Sequence, residues 1–254
     1  MCGRFAVTTD PDRLAEEIDA VDETGGSAPD SFAPNYNVAP TTEIAAVVAR
    51  GDDPPRSIRM MRWGLLPSWV KADAQGRPMA KSQLINARAE TAATTPAFRS
   101  AARHTRCLIP MDGYYEWMRT ADDPHADAPR TPRKRPFYMF REDGGPLLVA
   151  GLWSAWKPDR SDAAGAKLTC TIITTDAVGD PARVHDRMPL ILARADWDRW
   201  LDPDAPAPAD LLAATPAIDG IAMREVSTLV NKVGNNGPEL IAPVDRGNQP
   251  VGLF

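Results

Sequence analysis

The second residue of the chain is a cysteine, and its position permits one kind of covalent chemistry. Removal of Met1 would leave Cys2 with an amine and a thiol on adjacent carbons. Such a 1,2-aminothiol condenses with an aldehyde, because the amine forms an imine to which the thiol adds, closing a thiazolidine ring. The amine titrates at about 8 and the thiol at about 8.5, so we expect useful fractions of both nucleophiles near neutral pH. A buried cysteine that serves only as a small apolar residue is the alternative.

Two further residues have side chains suited to proton transfer. Glu116 lies between Tyr115 and Trp117, and aromatic neighbours that desolvate a carboxyl group suit it to acid/base work. His185 is one of three histidines in the chain and precedes an acidic residue. A surface glutamate and a structural histidine are the corresponding alternatives.

Other candidates have side chains that orient or bind a partner. Asn86 can donate and accept hydrogen bonds at once. Arg88 would share its face if this segment is a strand, and Arg4 follows Cys2 closely. Arginine is the residue expected for bidentate contacts with phosphate.

Tryptophans add stacking surfaces. Gly and Pro flank Trp63 and Trp69, which predicts that both lie in a loop at a binding surface, and Trp117 is a further candidate. Stacking of bases on such rings is worth about 1 to 3 kcal/mol per base in single-strand binding. Trp153 lies in an apolar segment and is predicted to belong to the core.

The composition excludes several classes of protein. The chain has 254 residues, 43% hydrophobic and 25% charged, without an apolar run of the roughly 20 residues that a membrane helix needs. The amino terminus lacks the pattern of a secretory signal, so we expect a cytoplasmic protein without membrane contact. The three cysteines show no metal-binding spacing, and we expect neither metal nor cofactor.

Charge is distributed unevenly along the chain. The net charge is -5, yet residues 54–141 hold 16 Lys and Arg against 7 Asp and Glu. The rest of the chain holds 13 against 27. We therefore expect this middle third to face an anion, with a mere abundance of arginine as the alternative.

The elements that position these residues point to an α+β fold. The predicted strands are short and irregularly spaced, which favours mixed or antiparallel sheets forming a barrel-like core with flanking helices. Strands are predicted at 43–49, 57–63, 106–110, 137–141, 147–156 and 168–174, and helices at 10–21, 96–102, 195–201 and 207–214. We expect one domain over residues 1–254, with polar surface insertions at 120–135 and 157–166.

A series of ordered motifs runs along the chain. The segments are Cys-Gly-Arg-Phe at 2–5, Tyr-Asn-Val-Ala-Pro at 36–40, Trp-Gly-Leu-Leu-Pro-Ser-Trp at 63–69, Ile-Asn-Ala-Arg-Ala-Glu-Thr at 85–91, Arg-Cys-Leu-Ile-Pro-Met-Asp-Gly-Tyr-Tyr-Glu-Trp at 106–117, Ala-Gly-Leu-Trp at 150–153, His-Asp-Arg-Met-Pro at 185–189 and Val-Ser-Thr-Leu-Val-Asn at 226–231. These motifs span nearly the whole chain, and together they resemble the SOS response-associated peptidase (SRAP) family of abasic-site processing proteins. The two insertions depart from the family pattern and affect surface contacts rather than the reaction.

The resemblance implies that Cys2 crosslinks to the ring-opened aldehyde of an abasic site in single-stranded DNA and shields the lesion as part of a DNA damage response. It implies catalytic roles for Cys2, Asn86, Glu116 and His185. It implies DNA contacts for Arg4, Asn37, Pro40, Trp63, Trp69 and Arg88. We expect a monomer that associates with the nucleoid when bound to DNA, with replication or repair proteins as possible partners.

Two other functions fit the same residues. A cysteine peptidase or autopeptidase could use Cys2 as its nucleophile, with His185 and Asn86 in supporting roles. A non-covalent single-stranded DNA-binding module would not need Cys2, and it would not explain a glutamate within the basic segment.

Overall fold

A computed structural model describes residues 2–25, 32–51, 55–80, 82–119, 134–159 and 165–244. Within these ranges the strands are β1 Phe5–Val7, β2 Ala20–Asp22, β3 Asn35–Val38, β4 Glu43–Ala49, β5 Arg56–Trp63, β6 Asn86–Arg88, β7 Arg106–Met111, β8 Gly113–Arg119, β9 Lys134–Arg141, β10 Leu147–Trp156, β11 Lys167–Asp176, β12 Arg187–Pro189 and β13 Ile221–Glu225. The α-helices are α1 Pro11–Ile18, α2 Ala89–Ala92, α3 Arg99–His104, α4 Trp197–Leu201 and α5 Ala209–Leu212. No helix in the described ranges is long and apolar enough to cross a membrane.

Five strands close into a barrel. Hydrogen bonding runs in the order β11, β10, β7, β4 and β5, and β5 then pairs in parallel with β11 through Thr169 with Arg62 and Cys170 with Trp63. Closure removes free strand edges from this part of the molecule. The predicted α+β fold with a barrel core and flanking helices is therefore confirmed.

The barrel strands bury side chains on both faces. Along β7, Leu108 packs in one apolar cluster, while Cys107 and Ile109 pack in another, as the two-residue period of a strand requires. The first cluster includes apolar side chains of α1, α3, α4 and α5. The second includes Cys2 and Phe5. The helices therefore cover one face of the barrel strands, and the amino terminus packs against the other.

A second sheet brings the amino terminus to this position. Its strands run in the order β13, β9, β8, β1 and β3, and β1 pairs antiparallel with both β3 and β8. A glycine stands at position 113, at the start of β8, because β9 passes too close to leave room for a side chain. A Cβ atom there would lie 2.4 Å from the Met139 carbonyl oxygen.

Most predicted elements are present, with shifted ends. Strands 43–49 and 147–156 have the predicted bounds, and the other four predicted strands are longer by one to three residues. The helix predicted at 10–21 is wrong in its last turn. Asp19 adopts a left-handed conformation (φ 54°) after Ile18, and the following residues form β2, which pairs in parallel with β5.

The seven strands that the sequence did not predict are β1, β2, β3, β6, β8, β12 and β13. Most have three to five residues, too few for an alternating pattern to be visible, and in β8 the first four residues are all buried. The predicted helices near the carboxyl side are shorter than expected, since α5 covers only Ala209–Leu212. Residues 120–133 and 160–164 of the predicted insertions lie outside the described ranges, whereas Lys134 and Arg135 already belong to β9.

Part of the basic excess in residues 54–141 is structural. The Arg106 guanidinium is buried and donates to the carbonyl oxygens of Trp200 at 2.6 Å and Ala102 at 2.8 Å, at the ends of α4 and α3. Arg56 is buried as well and donates to the Ile18 carbonyl oxygen at the end of α1. These arginines satisfy helix carbonyl groups and are not available to an external anion.

Candidate functional site

The pairing of β1 with β8 places Cys2 beside Glu116. Phe5 lies opposite Tyr114, and the Tyr115 amide donates to the Arg4 carbonyl oxygen at 3.0 Å. The chain before Phe5 therefore continues along β8 toward Glu116. Both Cys2 and Glu116 are buried, with 0% and 3% of their surface exposed.

Burial changes the chemistry expected of the Cys2 thiol. Desolvation raises its pKa far above the ordinary value, and the charge of Glu116 raises it further, while the amino-terminal charge and a hydrogen bond from the Arg4 backbone lower it. The useful thiolate fraction near neutral pH that the ordinary thiol pKa predicts is therefore not expected for the buried sulfur. Near neutral pH the sulfur is protonated and lies within the electrostatic reach of a carboxylate.

Asn86 holds the backbone of Cys2. Its Nδ2 donates to the Cys2 carbonyl oxygen at 2.9 Å, and its buried Oδ1 has no hydrogen-bond partner among the described residues. Parallel pairing of β6 with β11 positions Asn86, and the Trp63 indole anchors the chain just before it by donating to the Ile85 carbonyl oxygen at 2.9 Å. The Asn86 Nδ2 group therefore holds Cys2, while its Oδ1 atom can still accept a hydrogen bond.

His185 lies just before β12 and is held by its neighbours. Its Nδ1 accepts the Arg187 amide at 3.0 Å, and the Asp186 carboxylate lies 2.8 Å from the same nitrogen. The first contact fits a neutral ring with its proton on Nε2, and the second becomes an ion pair only when Nδ1 is protonated. The surroundings of His185 therefore provide a contact for each protonation state.

Arg187 fixes the segment that carries His185. Its guanidinium is largely buried and bonds to Glu90 and Asp176, each at 2.6 Å, and to the Thr174 carbonyl oxygen at 2.6 Å. These partners belong to α2 and β11. The ion pairs thus tie β12 to the elements that position Asn86.

The side chains of Asn37 and Arg4, both predicted to contact DNA, make hydrogen bonds within the fold, and their DNA contacts stay predictions. Asn37 is buried, and its Nδ2 donates to the carbonyl oxygens of Val230, Lys232 and Asn235 at 3.0 to 3.3 Å. Its Oδ1 accepts from Arg4 Nη1 at 2.7 Å, and the same nitrogen donates to the Val230 carbonyl oxygen. Asn37 has no free hydrogen-bonding group for DNA, and Arg4 keeps only part of its guanidinium available.

Pro40 and Arg88 lie nearer to solvent. Pro40 is half-buried after β3, and Arg88 is exposed at the end of β6, two residues after Asn86. An exposed arginine beside the site remains suited to phosphate contact. The structure therefore brings Cys2, Asn86 and Glu116 together, and Arg88 follows Asn86 by two residues along β6.

The tryptophans differ in exposure. Trp63 is fully buried at the end of β5 and packs against Phe5 with ring centroids 5.1 Å apart, so the predicted surface position of Trp63 is wrong. Trp69 is 58% exposed, as predicted. Trp117 is half-buried, with its indole nitrogen bonded to Asn231 Oδ1 at 2.7 Å.

Trp69 borders a surface cavity of about 220 Å³ together with Trp153, which is half-buried rather than a full core residue. The cavity shares Ser100 and His104 with an adjoining cavity of about 610 Å³ that Arg99 and Arg103 also line. Exposed aromatic and basic side chains therefore lie next to each other on this surface.

Replacing Trp63 or Trp69 by alanine is expected to change the free energy of unfolding to very different extents. Trp63→Ala should lower the free energy of unfolding by about 3 to 5 kcal/mol, because it leaves a large cavity in the core. Trp69→Ala should change it by less than about 0.5 kcal/mol, because the ring is mostly in solvent. Urea denaturation followed by circular dichroism measures both, and similar losses for the two variants would contradict the assignment.

Tyr114 is a buried neighbour of Cys2 and Glu116 that the sequence analysis did not single out. It is buried two positions before Glu116 on β8 and pairs with Phe5 of β1. Residues i and i+2 of a strand lie on the same face. Recognising β8 in the sequence would therefore have placed Tyr114 on the face of Glu116. Without the strand, the adjacent Tyr114 and Tyr115 cannot be told apart.

Comparison with known proteins gives one consistent result. The family model described as SOS response associated peptidase (SRAP) matches residues 1–233. The chain is 35% identical over 243 residues to the abasic site processing protein YoqW of Bacillus subtilis (strain 168), covering 95% of this chain and 99% of that protein. It is 32% identical over 248 residues to the abasic site processing protein YedK of Escherichia coli (strain K12), covering 96% and 100%.

A solved structure supports the same fold. A protein from Bacteroides thetaiotaomicron superposes with a TM-score of 0.75 at 22% identity, covering 96% of this chain and all of that one. At this level of identity the similarity concerns the fold. The family match over most of the chain, together with relatives above 30% identity, shows that this protein belongs to the SOS response associated peptidase (SRAP) family.

Proposed function

We propose that the protein processes abasic sites by binding single-stranded DNA and forming a covalent thiazolidine between Cys2 and the ring-opened deoxyribose. One observation carries this proposal. The carbonyl group of Cys2 is held by Asn86, while its thiol is buried beside Glu116. An aminothiol fixed between an amide and a carboxylate suits condensation with an aldehyde. The names of YoqW and YedK point to the same substrate.

The amine acts first in the proposed reaction. After removal of Met1, the neutral amine of Cys2 attacks C1′ of the open-chain sugar and gives a carbinolamine. Loss of its hydroxyl group as water leaves an imine and requires a proton donor, for which Glu116 is the buried candidate. The Oδ1 atom of Asn86, which lacks a hydrogen-bond partner among the described residues, is available to orient the amine.

The thiol acts second. The imine is protonated when the water leaves, and the Cys2 sulfur adds to its C1′ atom. The thiol proton passes to the Glu116 carboxylate and restores the acid, while the nitrogen keeps its proton and receives the electron pair of the broken π bond. The balance of the whole reaction is one aldehyde and one aminothiol giving one thiazolidine and one water. A protonated thiol beside a carboxylate is suited to this order, because the thiolate is needed only after the imine exists.

His185 is assigned to opening the sugar. The abasic deoxyribose is mostly a closed hemiacetal, and opening it requires a proton on the ring oxygen. When Nδ1 is protonated and paired with the Asp186 carboxylate, the charged imidazole also carries a proton on Nε2 and can donate it to the ring oxygen, which leaves a neutral ring, while the C1′ hydroxyl group loses its proton to water. The Asp186 carboxylate near Nδ1 would stabilise the ring if it became charged.

The exposed aromatic and basic groups support a single strand as the ligand. Trp69 offers a stacking surface, Arg88 an exposed guanidinium near the site, and the cavity lined by Arg99 and Arg103 a basic extension. Stacking and backbone contacts tolerate any sequence around a lesion that lacks a base. We therefore expect Trp69→Ala to weaken binding rather than the covalent step, as judged by the affinity for an oligonucleotide with an unreactive tetrahydrofuran lesion.

A denaturing gel tests the covalent mechanism directly. Chain with a free Cys2 amine is mixed with a single-stranded oligonucleotide that carries one abasic site. We expect a heat-stable shifted band with the wild type and none with Cys2→Ala. Cys2→Ser keeps the amine, so it should give a stable band only after borohydride reduction of the imine.

The matched control is Cys107→Ala, which removes another buried thiol and should retain the band. Absence of a band from wild type, with the amino-terminal Cys2 verified by mass spectrometry, would refute the crosslinking proposal.

A cysteine peptidase is the weaker candidate. Such an enzyme needs a thiolate, which a nearby cation or base normally provides by lowering the thiol pKa. Here burial and Glu116 raise the pKa of Cys2 instead. This environment disfavours a thiolate nucleophile and suits an amine that reacts first.

A further inference from the structure

The side chain of Tyr114 contains a buried hydroxyl group without a hydrogen-bond partner among the described residues. Its neighbour Tyr115 is equally buried, yet the Tyr115 hydroxyl donates to the Tyr36 carbonyl oxygen at 2.7 Å. Leaving a buried hydroxyl unpaired costs free energy that a phenylalanine would avoid. An unpaired group of this kind calls for a physical explanation.

Strand geometry places this hydroxyl group on the side of β8 that carries the proposed chemistry. Tyr114 and Glu116 are two residues apart on β8 and share a face, and Tyr114 packs in the same apolar cluster as Cys2 and Phe5. Tyr115 points to the opposite face and packs with Tyr138 instead. Of the two adjacent tyrosines, only Tyr114 belongs to the cluster that contains Cys2.

The electrostatics of Tyr114 keep it a donor. Burial raises its pKa well above the ordinary value, and the electrostatic influence of Cys2 and Glu116 raises it further. The phenol therefore stays protonated at any pH at which the protein would act. A donor in this position has no acceptor as long as the sulfur is a neutral thiol, which accepts hydrogen bonds only weakly.

We propose that Tyr114 is a further catalytic residue, whose hydroxyl donates a hydrogen bond to the Cys2 sulfur while the thiazolidine ring closes. The inference rests on the proposed function. As the thiol proton passes to Glu116, negative charge develops on the sulfur, and the Tyr114 O–H stabilises it without transferring its own proton. The S–C1′ bond then forms, and the hydrogen bond weakens again in the neutral product. Such a donor stabilises the transition state more than the ground state.

The test separates the two covalent steps. Tyr114→Phe removes one oxygen atom and should slow formation of the heat-stable crosslink about 100-fold, the lower end of the loss expected when one donor to a developing charge is removed. The amount of imine trapped by borohydride at early times should stay at the wild-type level. Affinity for single-stranded DNA with an unreactive tetrahydrofuran lesion should also be unchanged. The melting temperature should be equal or higher, because an unpaired buried hydroxyl group is lost.

The control is Tyr115→Phe on the same strand. It removes the hydrogen bond to Tyr36 and should lower the melting temperature while leaving the crosslinking rate unchanged. A Tyr114→Phe variant that crosslinks at the wild-type rate would overturn the proposal. The same holds for one whose imine formation falls in parallel with its crosslinking. Failure of the wild type to crosslink at all would instead overturn the proposed function.

Discussion

A chain that carries an uncleaved residue before Cys2 is expected to form no heat-stable product with abasic DNA. The added residue converts the Cys2 amine into an amide, whose nitrogen cannot attack an aldehyde. The thiol alone gives only a hemithioacetal, which reverts when the protein is denatured. Mass spectrometry of the amino terminus and a denaturing gel on the same sample measure the effect, which should be complete loss rather than a reduced rate.

The control for this variant is its non-covalent affinity. Binding to single-stranded DNA with a tetrahydrofuran lesion should remain near the wild-type value, because Trp69 and Arg88 are unchanged. A heat-stable band from the blocked chain would contradict the amine-first mechanism. In that case a nucleophilic thiol of the peptidase type would become the better explanation.

Replacing Glu116 by glutamine is expected to slow crosslinking by about 10² to 10⁴-fold, the usual contribution of a positioned acid or base. The amide has nearly the same shape, so folding should persist, yet it can neither supply the proton for loss of water nor accept the thiol proton. Single-turnover gel kinetics with excess protein measure the rate. Glu142→Gln, which alters an exposed glutamate, is the matched control and should react at the wild-type rate.

In the Glu116→Gln variant, the pKa of the Cys2 thiol is a second measurement, and it distinguishes acid/base catalysis from a thiolate mechanism. The charge of Glu116 raises the pKa of the Cys2 thiol, so its removal should lower that pKa and increase the thiolate fraction at a given pH. If the reaction depended on a thiolate nucleophile, Glu116→Gln would therefore be faster. A slower crosslink with a lower thiol pKa supports acid/base catalysis, whereas an unchanged or faster crosslink would contradict it.

The local sequence was sufficient to predict most of the strands that have six or more residues. The barrel strands β4 and β10 have the predicted bounds, since runs of seven to ten β-branched and apolar residues have few alternatives to a buried strand. Strands β1, β6 and β8 were not predicted. Strands β1 and β6 have only three residues each, and the first four residues of β8 are all buried, so none of the three shows an alternating pattern. Their conformation depends on pairing partners that are distant in sequence.

The sequence by itself determined which residue types are available for chemistry. A cysteine after Met1, the glutamate between aromatic residues and the asparagine at 86 stand within recognisable motifs, and these motifs identified the family. A motif also named residues that the fold then used differently. Asn37 donates hydrogen bonds to backbone carbonyl groups, and Trp63 fills the core. The role of a buried side chain depends on which polar or apolar groups the fold places around it.

Only the tertiary structure decided how these groups act on one another. The antiparallel pairing of β1 and β8 brings residues 2 and 116 together across more than one hundred positions, which no local pattern encodes. Burial then raises the pKa of the thiol. The alternation of side chains along β8 decides that Tyr114, and not Tyr115, packs in the cluster that contains Cys2. Reactivity depends on solvent exclusion and on distances between charges, and both arise only when the chain is folded.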